Sequence, residues 1–214
     1  MNTPNTQILN VVQELKSAIP SEKYIRYLYK CLAPHPYRRY CKRAQYLEEA
    51  APKGLRKEIL LVDGDAVGQI EYSPAEVSAY PISGDDVYVM NCIWVLRRAK
   101  GHRFGRMLVE RMIEGVGKAA GIATIALEGH PSPWLKRTHM EYLGFRPLRS
   151  RKMRHKTKRR DVCFDVYLMW MPLREDAGPP KMDWEAMLRG VDFCIAHPLY
   201  KAERFGHEEI YEKC

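Results

Sequence analysis

An α/β fold is predicted by three observations. Apolar runs and helical patterns follow one another in the order β, β, β, α, β, α, β, β between Lys57 and Met171. A hairpin signal stands at Asp63 to Asp65, and a β-branched run ends abruptly in a glycine-containing loop that opens a helix. "KEILLVD" and "AVGQIEY" are the two arms of the hairpin, joined by a Gly-Asp turn. Val87 to Val95, short and rich in valine, isoleucine and aromatics, reads as a buried strand. Phe104 to Ala120 reads as a helix, because Met107, Leu108, Arg111, Met112 and Gly115 to Val116 recur at steps of three and four and give one stripe facing a core. "GIATIALEG" is a strand introduced by Gly121. In "SPWLKRTHMEYLGF" Ser132 is an expected cap, Pro133 suits a first helical turn and Gly144 an end. "RPLRS" and "DVCFDVYLMWM" supply two more strands.

Residues 1–56 are expected to be a helical N-terminal part of the same domain, with 7–50 helical throughout and Ser21 as a cap. The core runs over 57–173. Residues 174–214 form a C-terminal extension behind the linker "REDAGPPK", with a short helix and an aromatic, histidine-containing tail. With 214 residues and 46% hydrophobic content, the chain can bury one good core. No apolar run has membrane-spanning length, and Met1 to Pro20 is too polar for a secretory signal. Six irregularly spaced cysteines, in a chain large enough to need no staples, predict a reducing, cytoplasmic setting. A formal charge of +9 favours an anionic partner.

The loop "RRAKGHRFGR" between the Val87 strand and the Phe104 helix carries the clearest chemistry. Gly101 and Gly105 permit backbone conformations or close approaches that a Cβ would block. A helix start leaves unpaired N–H groups and a partial positive charge, and Arg97, Arg98, Lys100, Arg103 and Arg106 surround this one. The anion that such a loop selects is phosphate. A nucleoside triphosphate loop is unsupported, since no GxxxxGK followed by Ser or Thr occurs, and no GxGxxG opens a dinucleotide-binding βαβ unit.

The loop instead resembles the acyl-CoA loop of the GNAT superfamily, the acetyl-CoA-dependent N-acetyltransferases. That signature is Gln or Arg, two residues, Gly, one residue, then Gly or Ala, at the opening of a helix. Lys100, Arg103 and Gly105 occupy its three positions, and Arg103 departs from the middle glycine. The "YLGF" helix ending is similar to the family's lead-in to its sixth strand, and the strand and helix order from Lys57 to Met171 is the order of its core. The resemblance implies a mixed, mostly antiparallel central sheet flanked by helices, with a splayed pair of central strands. The family's first strand is not evident before Gln7.

The resemblance further implies acetyl transfer from acetyl-CoA, as co-substrate, to a primary amine by direct attack in a ternary complex. Its cofactor-binding positions fall on Ile93, Trp94, Val95, Lys100, Gly101, His102, Arg103, Phe104, Gly105 and Arg106. Ile93 and Val95 match the backbone that binds pantetheine and the acyl carbonyl. The family's thiolate-protonating tyrosine position holds Met140, with Tyr142 and His139 nearby, and its strand glutamate is replaced by the neighbourhood of Val89 and Asn91. Catalytic candidates are therefore Glu71, as a carboxylate base acting directly or through water, Asn91 and Tyr142, with a solvated edge carboxylate as the equally weighted reading of Glu71. Cys92 is expected to alternate onto the face opposite Asn91. The implied partners are an acyl-CoA and an amine-bearing acceptor of open size, without a membrane, and a homodimer is left open.

Two readings from other classes stay beside this one. The missing tyrosine and glutamate fit a non-catalytic acyl-CoA-binding or regulatory module. "RSRKMRHKTKRR", with eight Lys and Arg in twelve residues, could serve a nucleic-acid-associated protein, although its place at an expected hairpin turn favours a solvated loop. Cys194, His197, His207 and Cys214 have a spacing compatible with zinc but not that of a finger, and ordinary packing is the favoured reading, with no metal expected.

Overall fold

The computed structural model describes residues 5–14, 22–29, 31–32, 41–201 and 208–214. Ser21 and His207, named above, lie outside them. A β-strand β1 (Thr6–Asn10) leads to three helices, α1 (Val11–Glu14), α2 (Glu22–Tyr29) and α3 (Cys41–Ala50). The chain continues through β2 (Arg56–Val62), β3 (Asp65–Pro74), β4 (Ile82–Ser83) and β5 (Val87–Val95), then α4 (Phe104–Val116), β6 (Gly121–Glu128) and α5 (Arg137–Tyr142). It ends with β7 (Arg146–His155), β8 (Cys163–Pro172), β9 (Lys181–Met182), α6 (Trp184–Met187) and β10 (Tyr211–Lys213).

An eight-stranded sheet has the order β1-β2-β3-β5-β6-β8-β7-β10. Every neighbouring pair is antiparallel except β5 with β6. That parallel pairing covers only Val87 to Val89 against Gly121 to Ala123. Beyond it β5 follows β3 and β6 follows β8, so the two strands splay apart. α4 packs on one face of the sheet. Its Gly115 admits the Tyr72 hydroxyl, with which any Cβ there would collide, and Gly68 of β3 lies under Leu108. The opposite face is covered by α1, α2 and α3, whose Val11, Val12, Leu28 and Leu47 bury Ile59 and Leu61 of β2.

Several local expectations change. The stretch read as helical from residue 7 opens with β1, the strand that had seemed absent; its five residues are half-exposed at the sheet edge and held by pairing to β2. Such a strand depends on its partner, and its own periodicity is weak. The helix expected at Ser132 begins only after Lys136. Leu127 N–H donates to Leu135 O at 2.7 Å and Leu135 takes φ 54°, which carries the chain across the end of β6 first. Ser132 accepts from Trp134 N–H in a local turn instead. α4 stops at Val116, because Gly117 turns the chain with φ 60°. The basic run is strand as far as His155, paired on both sides by β8 and β10, with Met153 in the core.

The C-terminal extension belongs to the same core, to which it contributes Met187, Leu188, Val191, Phe193, Leu199 and Tyr211. Asp183 caps α6 by accepting from Glu185 and Ala186 N–H at 3.0 Å. A disulfide joins Cys163 of β8 to Cys214, so the reading of all six cysteines as reduced does not hold for this pair. Among the described residues, no helix is long and apolar enough to cross a membrane.

Candidate functional site

The turn before α4 is built from backbone that few residues adopt. Gly101 has φ +89° and Arg103 has φ 59°, ψ 15°. An L-residue in this left-handed region costs roughly 1–2 kcal/mol, so Arg103 takes up the conformation that glycine would hold freely. The consequence is a concave turn in which the N–H groups of Gly101, His102, Arg103, Phe104 and Gly105 have no acceptor among the described residues. A Cβ on Gly105 would meet only Leu143 Cδ2 at 3.5 Å, an ordinary contact, so internal packing does not require a glycine there. Arg106 stands in the first turn with its guanidinium 4.5 Å above the Tyr142 ring, and its buried Nε is without a partner. His102 stacks on Phe104. Phosphate-sized anions are held by such groups: several convergent N–H donors, a helix dipole and a guanidinium.

At the splay, β5 turns backbone and indole groups toward the gap left by β6. Thr124 Oγ1 of β6 donates to Met90 O at 2.8 Å. The Trp134 indole N–H donates to Ile93 O at 3.0 Å. That carbonyl, expected to be open, is therefore taken by the chain itself. Trp94 packs edge-on against Trp134, and its own indole N–H is buried without a partner.

A second network closes the other side of the splay. His197 Nδ1 accepts the Leu199 N–H at 3.0 Å and so carries no proton. The proton of the neutral ring is then on Nε2, which lies 2.8 Å from the Tyr80 hydroxyl. Tyr80 in turn donates to Asn91 O at 2.7 Å. Burial, reinforced by His130, pulls His197 down to about 3, and burial pushes Tyr80 well up, so both stay neutral and the order of donors is fixed. Because Cys214 is in the disulfide and both His197 nitrogens are engaged, the Cys/His set named from the sequence is not assembled among the described residues.

Of the catalytic candidates, two lie in saturated networks. Both Glu71 oxygens are bound by the Arg43 guanidinium, and Lys57 Nζ is 3.5 Å away, all three side chains being almost fully buried. Burial alone would raise the Glu71 carboxyl, but Arg43 and Lys57 outweigh it and hold it below the usual range. A carboxylate kept ionised in this way is a poor proton acceptor. Asn91 accepts from Ala79 N–H at 3.1 Å and donates to the Tyr46 hydroxyl at 2.8 Å. The register of β5 on β3 shifts between Glu71 and Tyr72, which makes Asn91 an extra residue. This bulge puts Asn91 and Cys92 on one face, where Cys92 meets Gln69, and the expected alternation fails. Tyr142 is 59% exposed and lies with Arg106 at the loop.

Comparison with known proteins adds the fold's relatives. No family model matches this sequence, and no curated protein matches it. Among solved structures, the ribosomal-protein-S18-alanine N-acetyltransferase of Escherichia coli superposes with TM-score 0.52 at 15% identity, over 82% of this chain and 100% of that one. An acetyltransferase of the GNAT family from Streptococcus pneumoniae gives TM-score 0.50 at 13% identity, over 79% of this chain and 100% of its own. A Bacillus subtilis acetyltransferase in complex with CoA gives the same TM-score, identity and coverage. The chain has the GNAT fold.

Within the GNAT fold, Lys100 to Arg106 stand around the start of α4, and Trp94 and Val95 stand at the end of β5, beyond its pairing with β6. The structure does not bring Glu71, Asn91 and Tyr142 to a common point. Tyr80 and Trp134 carry no expectation from the sequence, and His197 is named there only within the Cys/His set. Tyr80 and Trp134 stand in irregular segments and His197 in the C-terminal extension, so no periodicity marks any of them. A tyrosine and a tryptophan next to prolines, in "AYP" and "SPW", are their only local signal.

Proposed function

We propose that this protein is an N-acetyltransferase that moves an acetyl group from acetyl-CoA directly to a primary amine in a ternary complex. The observation that carries the reading is the unsatisfied N–H turn at the start of α4 beside the β5 and β6 splay. Arg106 Nε and Trp94 Nε1, buried without a hydrogen-bond partner, are donors left over for a ligand. The CoA complex of the Bacillus subtilis neighbour supports this ligand class.

When bound, acetyl-CoA supplies a thioester-activated acyl group. Gly101 to Gly105 N–H groups and Arg106 bind the diphosphate, with Lys100 and Arg103 adding charge, while Gly105 leaves room and His102 and Phe104 wall the turn. Trp94 Nε1 and the Val95 backbone line the path of the pantetheine arm. Ile93 lies on the same path, its carbonyl held by the Trp134 indole. Glu71 and Asn91 act as positioning residues that hold the bulge of β5, and Tyr142 orients Arg106. The proton donor assigned to the leaving sulfur is Tyr80 Oη, which burial keeps protonated and which His197 Nε2–H backs; the proton that the amine sheds as the C–N bond forms and the C–S bond breaks returns through solvent to the tyrosine oxygen.

The saturation of Glu71 and Asn91 favours one second reading, a non-catalytic acyl-CoA-binding module. The basic run offers less to nucleic acid than its sequence suggests, because Arg151, Arg154 and Lys156 are paired with Glu185, Glu212 and Glu209. One pair of measurements tests the proposal. Acetyl-CoA should raise the melting temperature and dephosphorylated pantetheine should do far less, since a ligand of the native state stabilises by mass action. Adding a panel of primary amines should then release free CoA thiol. Equal shifts from both ligands would remove the diphosphate site, and a shift without thiol release would leave the binding module.

A further inference from the structure

A cavity of about 190 Å³ lies between the β7–β8 hairpin, the segment after β6 and the C-terminal extension. It is smaller than the roughly 300–1,000 Å³ of pockets for drug-sized ligands, which suits a compact molecule. Its walls are rings. His130 meets Phe164 edge-on at 4.7 Å, Phe164 meets Tyr211 at 5.8 Å, and Tyr211 meets His155 at 5.2 Å. Pro198 and Tyr200 close the side next to His197.

Among the described residues that line the cavity, the charged side chains are Lys158 and Arg159, beside the two imidazoles. Two described acidic side chains of the extension pair outside the cavity, Glu209 with Lys156 at 3.1 Å and Glu212 with Arg154 at 2.7 Å. Arg159 makes no ion pair among the described residues, and it is held in the hairpin turn with φ 46°. Its charge reaches the cavity: burial and then Arg159 lower His130 to about 4. Cation and aromatic wall together match a ligand with an anionic group and a flat apolar body.

We propose that this cavity binds a small aromatic anion, a carboxylate or phosphate ester, with its ring among Phe164, Tyr211 and the imidazoles and its acid group at Lys158 and Arg159. The site uses none of the groups assigned above to acyl-CoA, and its test needs no acyl transfer. Benzoate and phenyl phosphate are titrated into the full chain, with heat of binding and the imidazole NMR signals of His130 and His155 as readouts. Inorganic phosphate reports charge alone, and benzyl alcohol reports the ring alone. Both aromatic anions should bind and move both imidazoles, and each control should bind at least tenfold more weakly. Arg159→Gly keeps the left-handed turn and removes the charge, and it should weaken binding by about tenfold or more. Absence of imidazole shifts, inorganic phosphate binding as tightly as phenyl phosphate, or an unchanged Arg159→Gly would each overturn the assignment. Comparing benzylamine with 4-(aminomethyl)benzoate as acetyl acceptor then identifies the source of the anion. A preference for the latter means an acid group on the acceptor, and equal rates mean a separate ligand.

Discussion

Glu58 and Glu71 are both buried carboxylates on paired strands, yet their surroundings treat them oppositely. Glu71 lies between Arg43 and Lys57 and its carboxyl is lowered, so its contribution to stability is present above the unfolded value of about 4.3 and is lost as pH falls through the folded one. Glu71→Gln leaves two buried cations short of a partner and should cost about 3–5 kcal/mol in urea unfolding at neutral pH. Glu58 faces α4, accepts from the Tyr72 hydroxyl at 3.0 Å and keeps Oε2 without a hydrogen bond. Burial raises its carboxyl despite Tyr72 and Arg111, so it destabilises the fold as pH rises from about 4.3 through the raised value. Glu58→Gln retains the acceptor and removes the charge. Its unfolding free energy at neutral pH should equal or exceed that of the parent, and the gain should vanish in acid. Tyr80→Phe tests the proposed proton donor at the same scale. Turnover should drop by about 10²- to 10⁴-fold with the acetyl-CoA melting shift intact. If turnover is normal, protonation comes from elsewhere.

At the scale of elements, the N-terminus of α4 separates conformation from chemistry. Arg103 is the residue for which the backbone wants glycine; at Gly105 the protein's own contacts require no glycine, and the proposed diphosphate does. Arg103→Gly relieves the left-handed strain and adds freedom to the unfolded chain, two effects of about 1 kcal/mol with opposite sign, so the melting temperature should barely move. Arg103→Val puts a β-branched residue at φ 59° and should lower it. Gly105→Glu is tolerated by the protein's own contacts but sets a negative charge in the turn, where one like-charge contact costs on the order of 1 kcal/mol or more. A folded Gly105→Glu with undiminished acetyl-CoA binding would mean that the turn holds something else. The Phe104 helix, its strand and its glycines are readable locally, because each obeys a period or a turn rule. The shortened α5 is not, because Leu127 N–H selects Leu135 O across the end of β6.

For the whole molecule, the C-terminal extension is a structural member. β10 extends the sheet beside β7, and Cys163–Cys214 closes a loop with a sequence separation of 51. A cross-link over that span removes about 4 kcal/mol of chain entropy from the unfolded state on the simplest model, and measured losses are typically 2–4 kcal/mol. Reduction with dithiothreitol, or Cys214→Ser, should lower the urea midpoint accordingly. It should also weaken benzoate binding, since Tyr211 of β10 forms a wall of the cavity. Coincident unfolding curves with and without reductant would mean that the bridge contributes nothing.

Local pattern alone determined the hairpin at Asp63 and Gly64, the Val87–Val95 strand, the glycine-bearing turn into the Phe104 helix and the order of the core elements, since each rests on period, turn chemistry or helix-end physics within a short window. What depended on residues far apart in the chain was decided by the tertiary structure. β1 exists because β2 pairs with it, and the bulge at Asn91 because β3 fixes the register. Glu71 became an ion-pair anchor when α3 brought Arg43 over it, a meeting of residues 28 positions apart. Tyr80 and His197, 117 positions apart, meet at the splay through the extension's return across the sheet. A side chain's role in chemistry follows from which partners neutralise or free it, and those partners are set by packing that no single stretch of sequence contains.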